Sequence, residues 1–186
     1  MRLPMSVEAY LELGETDERI ELFDGNLYLS ARGHPRHQFI VGRIMDALRA
    51  GAAASGWHLL GPVNLRLGQQ RVANPDMIMT RAIDLHDQLV DSCAAVLVAE
   101  VASWSDEVSG VLKRHYYAAA GIPWYLLVEQ ESATLHLYQL RGNHYVEHSV
   151  TRPGEVLHLE EPLTADVVTE DLLPPDQDSV ERSSHY

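Results

Sequence analysis

The chain has 186 residues, 46% of them hydrophobic, and carries a net charge of -13. This length favours one domain, and the composition excludes an intrinsically disordered protein. No run approaches the roughly 18 consecutive apolar residues of a membrane span. A single cysteine, Cys93, excludes a disulfide framework and a multi-cysteine zinc site. Acidic residues interrupt the N-terminal apolar residues before a secretory signal could form, so we expect a cytoplasmic protein.

The negative charge is concentrated towards the C-terminus. Residues 160–186 contain eight acidic residues and one arginine, which leaves nineteen acidic and thirteen basic residues in the first 159. The net charge argues against a protein that binds nucleic acid by overall attraction, but the first 159 residues could still present a local basic face. We expect residues 1–173 to form one domain and residues 174–186, which have little to bury, to form a disordered acidic tail.

Three elements are predicted in the first third of the chain. Ser6 precedes the short segment VEAYLEL and is placed to cap a helix. RIELFDGNLYLS contains two apolar runs about Asp24-Gly25, which predicts a β-hairpin because this pair tolerates the positive φ angles of a tight turn. From Gln38 to Ala53, apolar residues recur at helical spacing and predict a long helix.

The rest of the chain combines strand-length apolar runs with one more helix. WHLLGPVNLRLG, PDMIMT and AAVLVAEVA predict strands, and a helix follows from about Asp106 to Ala120, ended by Gly121 and Pro123. WYLLVE is typical of a strand buried on both faces. ATLHLYQL, HYVEHSV and EVLHL predict an antiparallel meander. The order helix, strand, strand, strand, helix, strand indicates an α/β core with a mixed sheet, between the N-terminal hairpin and the C-terminal meander.

Two acidic residues and one lysine occupy unusual positions in this order. Asp76 follows Pro75 at the start of one predicted strand, Glu100 lies near the end of the next, and Lys113 lies one to two turns into the following helix. If the strands are antiparallel neighbours, Asp76 and Glu100 share one edge of the sheet. Two carboxylates suit Mg²⁺ or Mn²⁺, which can activate water and stabilise the leaving oxygen of a phosphodiester.

Lys113 is the only lysine in a chain with thirteen arginines. An ammonium beside the metal can stabilise a pentavalent transition state or, with a depressed pKa, orient or deprotonate the water, whereas a guanidinium stays protonated. Taken singly, Asp76 is also typical of a turn and Lys113 of an exposed helix face. Glu100, within VLVAEVA, is harder to explain structurally because an unpaired buried carboxylate is costly.

In this order, Pro75-Asp76, Glu100 in VAEVAS and Lys113 in KRHYYAAAGIPWYLLVE resemble the Uma-type putative restriction endonuclease family of the PD-(D/E)XK nuclease superfamily. The resemblance spans about residues 5–170, includes ELFDGNLYLS and HPRHQFIVGRIMDALR, and implies a bacterial protein with a restriction-endonuclease-like core. It also implies a Mg²⁺- or Mn²⁺-dependent endonuclease acting on DNA, with Asp76 and Glu100 as metal ligands and both acting with Lys113 in catalysis.

The chain departs from this pattern at two positions. The superfamily's common form has its lysine two residues after the glutamate, where this chain has Ala102, so Lys113 must reach the site from the helix, as in Uma-type members. Those members usually have an aspartate one helical turn before the lysine. Here Ser109 stands at that position, and Asp106 and Glu107 come slightly earlier.

Two residues and a second function stay open. Glu21 matches a glutamate common in the family and could approach the metal, or it could pair across strands with an arginine. His37 is more typical of a hydrogen bond at a helix start than of a catalyst. The acidic charge and Ser109 favour an alternative, a noncatalytic module whose hydrophobic hairpins bind another copy or a protein partner. A homodimer is expected for an enzyme that cuts two strands.

Overall fold

The computed structural model describes residues 4–14, 18–30, 33–103 and 107–174, without the side chains of residues 30 and 107–109. Apart from Pro174, the predicted tail lies outside the described residues, as does Asp106. In the described part of the chain, no helix combines the length and the apolar character needed to cross a membrane.

The three predicted helices are confirmed. Helix α1 spans Val7–Leu11, and the Ser6 hydroxyl accepts a hydrogen bond from the Ala9 amide at 3.2 Å, as expected of an N-cap. Helix α2 spans Pro35–Ala54 and helix α3 spans Glu107–Ala119. Helix α2 begins three residues before the predicted start, because Pro35 is tolerated in a first turn that needs no amide donor.

The strands form three sheets in the described residues. A five-stranded sheet has the order β2-β1-β5-β4-β7, a six-stranded sheet has the order β11-β10-β9-β8-β6-β3, and β12 pairs with β13. The strand bounds are β1 (Arg19–Phe23), β2 (Asn26–Ser30), β3 (His58–Leu60), β4 (Leu65–Gly68), β5 (Arg71–Ala73), β6 (Met77–Thr80), β7 (Val90–Asp91), β8 (Ala95–Ala102), β9 (Trp124–Glu129), β10 (Leu135–Arg141), β11 (His144–Thr151), β12 (Val156–Leu159) and β13 (Ala165–Val168).

The predicted hairpin and mixed sheet are confirmed. Strands β1 and β2 pair antiparallel about Asp24 and Gly25, whose φ angles of 50° and 77° lie in the left-handed region that this turn requires. In the six-stranded sheet, β8 and β9 run parallel because helix α3 crosses between them, whereas β6 pairs antiparallel with β8.

Some pairings differ from the sequence-based expectation. WHLLGPVNLRLG divides at Gly61-Pro62 into β3 and β4, which belong to different sheets. The polar segment between β6 and β8 contains the short strand β7. The predicted meander continues only from β10 to β11. Its third strand, β12, pairs with β13 instead, after a turn through Pro153-Gly154.

The two faces of the six-stranded sheet contact different layers. Helix α2 and the β12–β13 pair cover one face, where Met77, Leu97 and Ala99 are buried. The five-stranded sheet and helix α3 cover the other face, where Ile78 and Val98 are buried. Because side chains alternate along a strand, residues 76 and 100 project on the same side as Ile78 and Val98. Both acidic residues therefore face helix α3 and strand β1.

Candidate active site

The antiparallel pairing of β6 and β8 brings the two predicted metal ligands together. Met77 pairs with Ala99, so Asp76 and Glu100 occupy the next opposite positions, one just before β6 and one near the end of β8. Asp76 Oδ2 also accepts a hydrogen bond from the Val101 amide at 2.9 Å. The prediction that the two carboxylates share one edge is confirmed.

The Asp76 carboxylate is surrounded by donors. Arg19 Nη1, from β1, lies 2.8 Å from Oδ1, and His37 Nε2, from the first turn of α2, lies 3.3 Å from the same oxygen. Burial by itself would raise the pKa of Asp76, but the His37 hydrogen bond and the Arg19 charge outweigh it and lower the pKa below its usual value. Asp76 is therefore ionised at neutral pH.

Glu100 is held by fewer donors in a more apolar setting. The Tyr117 hydroxyl donates to Oε1 at 2.5 Å, and Lys113 Nζ lies 3.2 Å from Oε1 and 3.4 Å from Oε2. The residue is 8% exposed. Burial raises the pKa of Glu100 to about 7, although the Lys113 charge opposes this shift. Near neutral pH, Glu100 can therefore both hold and release a proton.

Lys113 reaches the site from α3, as expected for a lysine that lies on the helix and not two residues after Glu100. Its Nζ contacts Glu21 Oε1 at 3.0 Å as well as Glu100, and the residue is 7% exposed. Burial alone would lower the pKa of Lys113, but the charges of Glu100 and Glu21 outweigh it and raise the pKa. The side chain is therefore a fixed ammonium in this arrangement.

Glu21 links the hairpin to the same cluster. It is 2% exposed, and its Oε1 accepts a hydrogen bond from the Asn74 amide at 2.8 Å in addition to the contact with Lys113. Asn74 lies two residues before Asp76, so this bond fixes strand β1 to the loop that leads into β6. Glu21 thus helps to position Lys113.

Two contributors to this site, Arg19 and Tyr117, were not predicted from the sequence, whereas Glu21 and His37 were recognised without a decided role. Arg19 and Glu21 are two residues apart on β1 and share one face of the strand, so their spacing was a usable signal. His37 contacts Asp76 directly, beyond the helix-start role expected for it. Tyr117, one helical turn after Lys113, belongs to the same face of α3.

Residues 7–171 match the family described as "Uma2: Putative restriction endonuclease". The chain belongs to this family. A solved structure, described as a putative nuclease belonging to DUF820 from Anabaena variabilis ATCC 29413, is similar with a TM-score of 0.70. The similarity covers 91% of this chain and 97% of that chain at 13% sequence identity, so it shows a common fold. A comparison with curated proteins finds no match.

The Uma2 match contains every described element that supplies a site residue, from β1 to α3. Ser109, which stands where the resemblance implied an aspartate, falls in α3. Its side chain and that of Glu107 lie outside the described residues, as does Asp106. The described anchor of Lys113 on the hairpin side is Glu21.

The donor chemistry of this Uma2 site fits a hard divalent cation. Asp76 Oδ2 and Glu100 Oε2 each accept one hydrogen bond from the described residues, so each oxygen keeps a lone pair. Within the described ranges, no three His, Cys, Asp or Glu side chains are grouped as a complete metal site. Two carboxylates with water and substrate oxygens are a common way to hold Mg²⁺.

Proposed function

We propose that the protein is a metal-dependent endonuclease that hydrolyses phosphodiester bonds in DNA. Asp76 and Glu100 hold Mg²⁺ or Mn²⁺, and Lys113 acts with them in catalysis. One observation carries this proposal: two carboxylates at opposite positions on neighbouring strands lie beside a buried lysine, in a chain of the Uma2 family. This combination is expensive for folding and is typical of a functional site.

The bound ion would supply a Lewis acid that activates the attacking water and stabilises the leaving oxygen. Lys113 contributes a positive charge directed at the place where negative charge develops on the phosphoryl oxygens. Its raised pKa supports this role over that of a proton acceptor. Glu21 and Glu100 hold the ammonium from two sides, so its position is fixed before substrate binds.

Cleavage of supercoiled and linear DNA by the purified protein, with and without Mg²⁺ or Mn²⁺, tests the proposal. We expect metal-dependent cutting that falls at least about a hundredfold in Lys113→Ala and in Glu100→Ala, because each removes a charge from the reacting centre. Arg49→Ala, on the exposed face of α2, is the control for purification and should cut as wild type does. Equal cutting by all four proteins would point to a contaminant and overturn the proposal.

A second candidate function is favoured by an exposed apolar strand. Leu27, Tyr28 and Leu29 are 42%, 45% and 68% exposed on β2, which lies at the end of the five-stranded sheet as described. An exposed apolar edge of this kind is typical of pairing with another chain. On this alternative, the protein is a noncatalytic binding module or a homodimer that assembles through β2.

Light scattering of wild type and Leu29→Asp tests the second candidate, with Leu85→Asp as a control at an exposed leucine outside β2. A dimer that only Leu29→Asp dissociates supports assembly through β2. A monomeric wild type at tens of micromolar contradicts the homodimer. A dimeric, metal-dependent nuclease would satisfy both proposals.

A further inference from the structure

Arg19 is placed at the centre of the cluster by its position on β1. Its guanidinium extends towards the loop before β6, where Nη1 contacts Asp76 Oδ1 at 2.8 Å. The side chain is 18% exposed, and Glu100, Asp76 and Glu21 lie close enough to influence its charge. This contact uses one of the three guanidinium nitrogens.

The other two nitrogens of Arg19 are buried without a hydrogen-bond partner in the described part of the chain. Nε and Nη2 form one edge of the planar guanidinium, with their N–H groups parallel, which is the geometry that binds two oxygens of one anion. Buried donors without partners are costly and rare in folded proteins. A pair on a single edge therefore indicates a ligand with two acceptor oxygens.

The charges of the clustered side chains also indicate an anionic ligand. When His37 is neutral and the three carboxylates are ionised, Glu21, Asp76 and Glu100 exceed the permanent cations Arg19 and Lys113 by one negative charge. A divalent cation on Asp76 and Glu100 reverses the sign to one excess positive charge. A phosphodiester carries one negative charge and would restore neutrality in a site where an unbalanced buried charge is costly.

A cleft with polar walls extends to Arg19. It has a volume of about 620 Å³, and Arg19 lines it together with Tyr10, Asn64, Asn74 and Gln88. The Tyr10 hydroxyl and the Asn74 amide already donate hydrogen bonds within the fold. The Asn64 amide, which makes one such bond, and the Gln88 amide can donate to phosphate and sugar oxygens. Glu18 also lines the cleft, so the anion must be held by specific donors rather than by overall positive charge.

We propose that Arg19 is a substrate-binding residue, whose Nε–Nη2 edge binds the two non-bridging oxygens of a nucleic-acid phosphate next to Asp76 and Glu100. This inference rests on the proposed nuclease function and names the group that holds its substrate. Arg19 contacts Asp76 through one side of its guanidinium and the phosphate through the other, so it sets the distance between metal ligand and phosphate.

Binding of a fluorescent DNA duplex in Ca²⁺, measured by anisotropy with the full chain, tests the proposal without turnover. Arg19→Lys keeps a positive charge opposite Asp76 but removes the two-donor edge, and we expect its affinity to fall about tenfold. Arg71→Lys is the matched control, since Arg71 also binds an aspartate, Asp24, through Nε and Nη2 on the same sheet. It should bind DNA as wild type does.

A series of duplexes, each with one methylphosphonate that removes the anionic oxygen, separates a phosphate contact from a structural role. Wild type and Arg71→Lys should lose affinity at one particular phosphate, whereas Arg19→Lys should be insensitive there and keep its responses elsewhere. A global structural defect would weaken all duplexes alike. Thermal unfolding confirms that the variants are folded.

The outcomes distinguish this inference from the proposed function. If wild type cuts DNA and Arg19→Lys binds every duplex as tightly as wild type, the Arg19 proposal is wrong and the nuclease stands. If Arg19→Lys loses the phosphate-specific response but wild type never cuts, the binding role stands and the catalytic proposal fails. If wild type binds neither duplex DNA nor RNA, both are overturned.

Discussion

Asp76 and Glu100 occupy opposite positions on neighbouring strands, yet they are held in contrasting ways. Asp76 accepts hydrogen bonds from a backbone amide and from two basic side chains, Arg19 and His37, and its pKa is lowered. Glu100 shares its cation, Lys113, with Glu21, and burial raises its pKa to about 7. The comparison teaches that burial and the basic side chains around a carboxylate together decide its charge.

This difference gives the two carboxylates different relations to a metal ion. Asp76 is ionised throughout the neutral range, so a cation meets a ready ligand there at Oδ2, the oxygen that Arg19 does not contact. Glu100 must first release a proton to bind the ion. Metal binding at Asp76 should therefore be independent of pH in the neutral range, whereas metal binding at Glu100 should depend on pH.

The largest difference in stability should come from neutralising each carboxylate in turn at pH 7. Asp76→Asn leaves the Arg19 guanidinium buried without its anion, so we expect a loss of about 3 kcal/mol in the free energy of unfolding. Glu100→Gln should cost about 1 kcal/mol, because Glu100 is already partly protonated and Lys113 keeps Glu21. Urea unfolding measures the free energy of unfolding of both variants, and equal losses would show that the two carboxylates are held alike.

The pH dependence of stability should have opposite signs for the two residues. The pKa of Glu100 is raised, so between about pH 4.5 and pH 7 the folded state binds more protons than the unfolded state and this contribution to stability is lost as pH rises. The stability of wild type relative to Glu100→Gln should fall by roughly 2 kcal/mol across that window.

The lowered pKa of Asp76 gives the opposite pH dependence of stability. Its contribution is present above pH 4 and is lost as pH falls below the usual aspartate value, so it appears in the difference between wild type and Asp76→Asn only at acid pH. Urea midpoints in steps of half a pH unit resolve the two windows. A flat difference for Glu100→Gln would mean that Lys113 keeps Glu100 ionised.

The affinity for a metal ion should also depend on pH, by a smaller amount, because of the raised pKa of Glu100. Because a proton competes for Glu100 but not for Asp76, the dissociation constant for Mn²⁺ should rise about tenfold from pH 8 to pH 6. Calorimetry should detect about one proton released per ion at the lower pH. Bound Mn²⁺ should raise the midpoint of thermal unfolding, and removing the ion with a chelator should reverse this rise. A constant affinity across this range would exclude Glu100 as a ligand.

The elements of this fold are largely predictable from local sequence signals. Asp24-Gly25 predicts the hairpin, and the apolar periodicity after Gln38 predicts α2, because turns and amphipathic helices depend on neighbouring residues. The partner of β12 was not predictable in this way. Pairing with β13 depends on packing against α2, which no local pattern records.

The residues of the candidate site likewise divide into those that local sequence signals indicate and those that depend on contacts between distant elements. Asp76, Glu100 and Lys113 could be found because each is an unusual residue for its position, and strand order then places them together. Arg19 could not be found as readily, because it is one arginine among thirteen and reaches Asp76 only when the five-stranded sheet packs on the six-stranded sheet. Contacts between sheets, far apart in sequence, are the part that required a structure.

The smallest predicted effect concerns the hydroxyl that holds Glu100. Tyr117→Phe removes the 2.5 Å hydrogen bond to Oε1 while the ring keeps its packing against Tyr125, so we expect a loss of about 1 kcal/mol in the free energy of unfolding. Losing a donor also disfavours the ionised carboxylate, so Mn²⁺ binding should shift to higher pH than in wild type. Tyr145→Phe, whose hydroxyl donates to the Ile122 carbonyl, is the control and should leave that pH profile unchanged. A Tyr117→Phe variant with the wild-type profile would show that this hydroxyl does not set the charge of Glu100, and the difference between the two carboxylates would then rest on burial and on their basic neighbours.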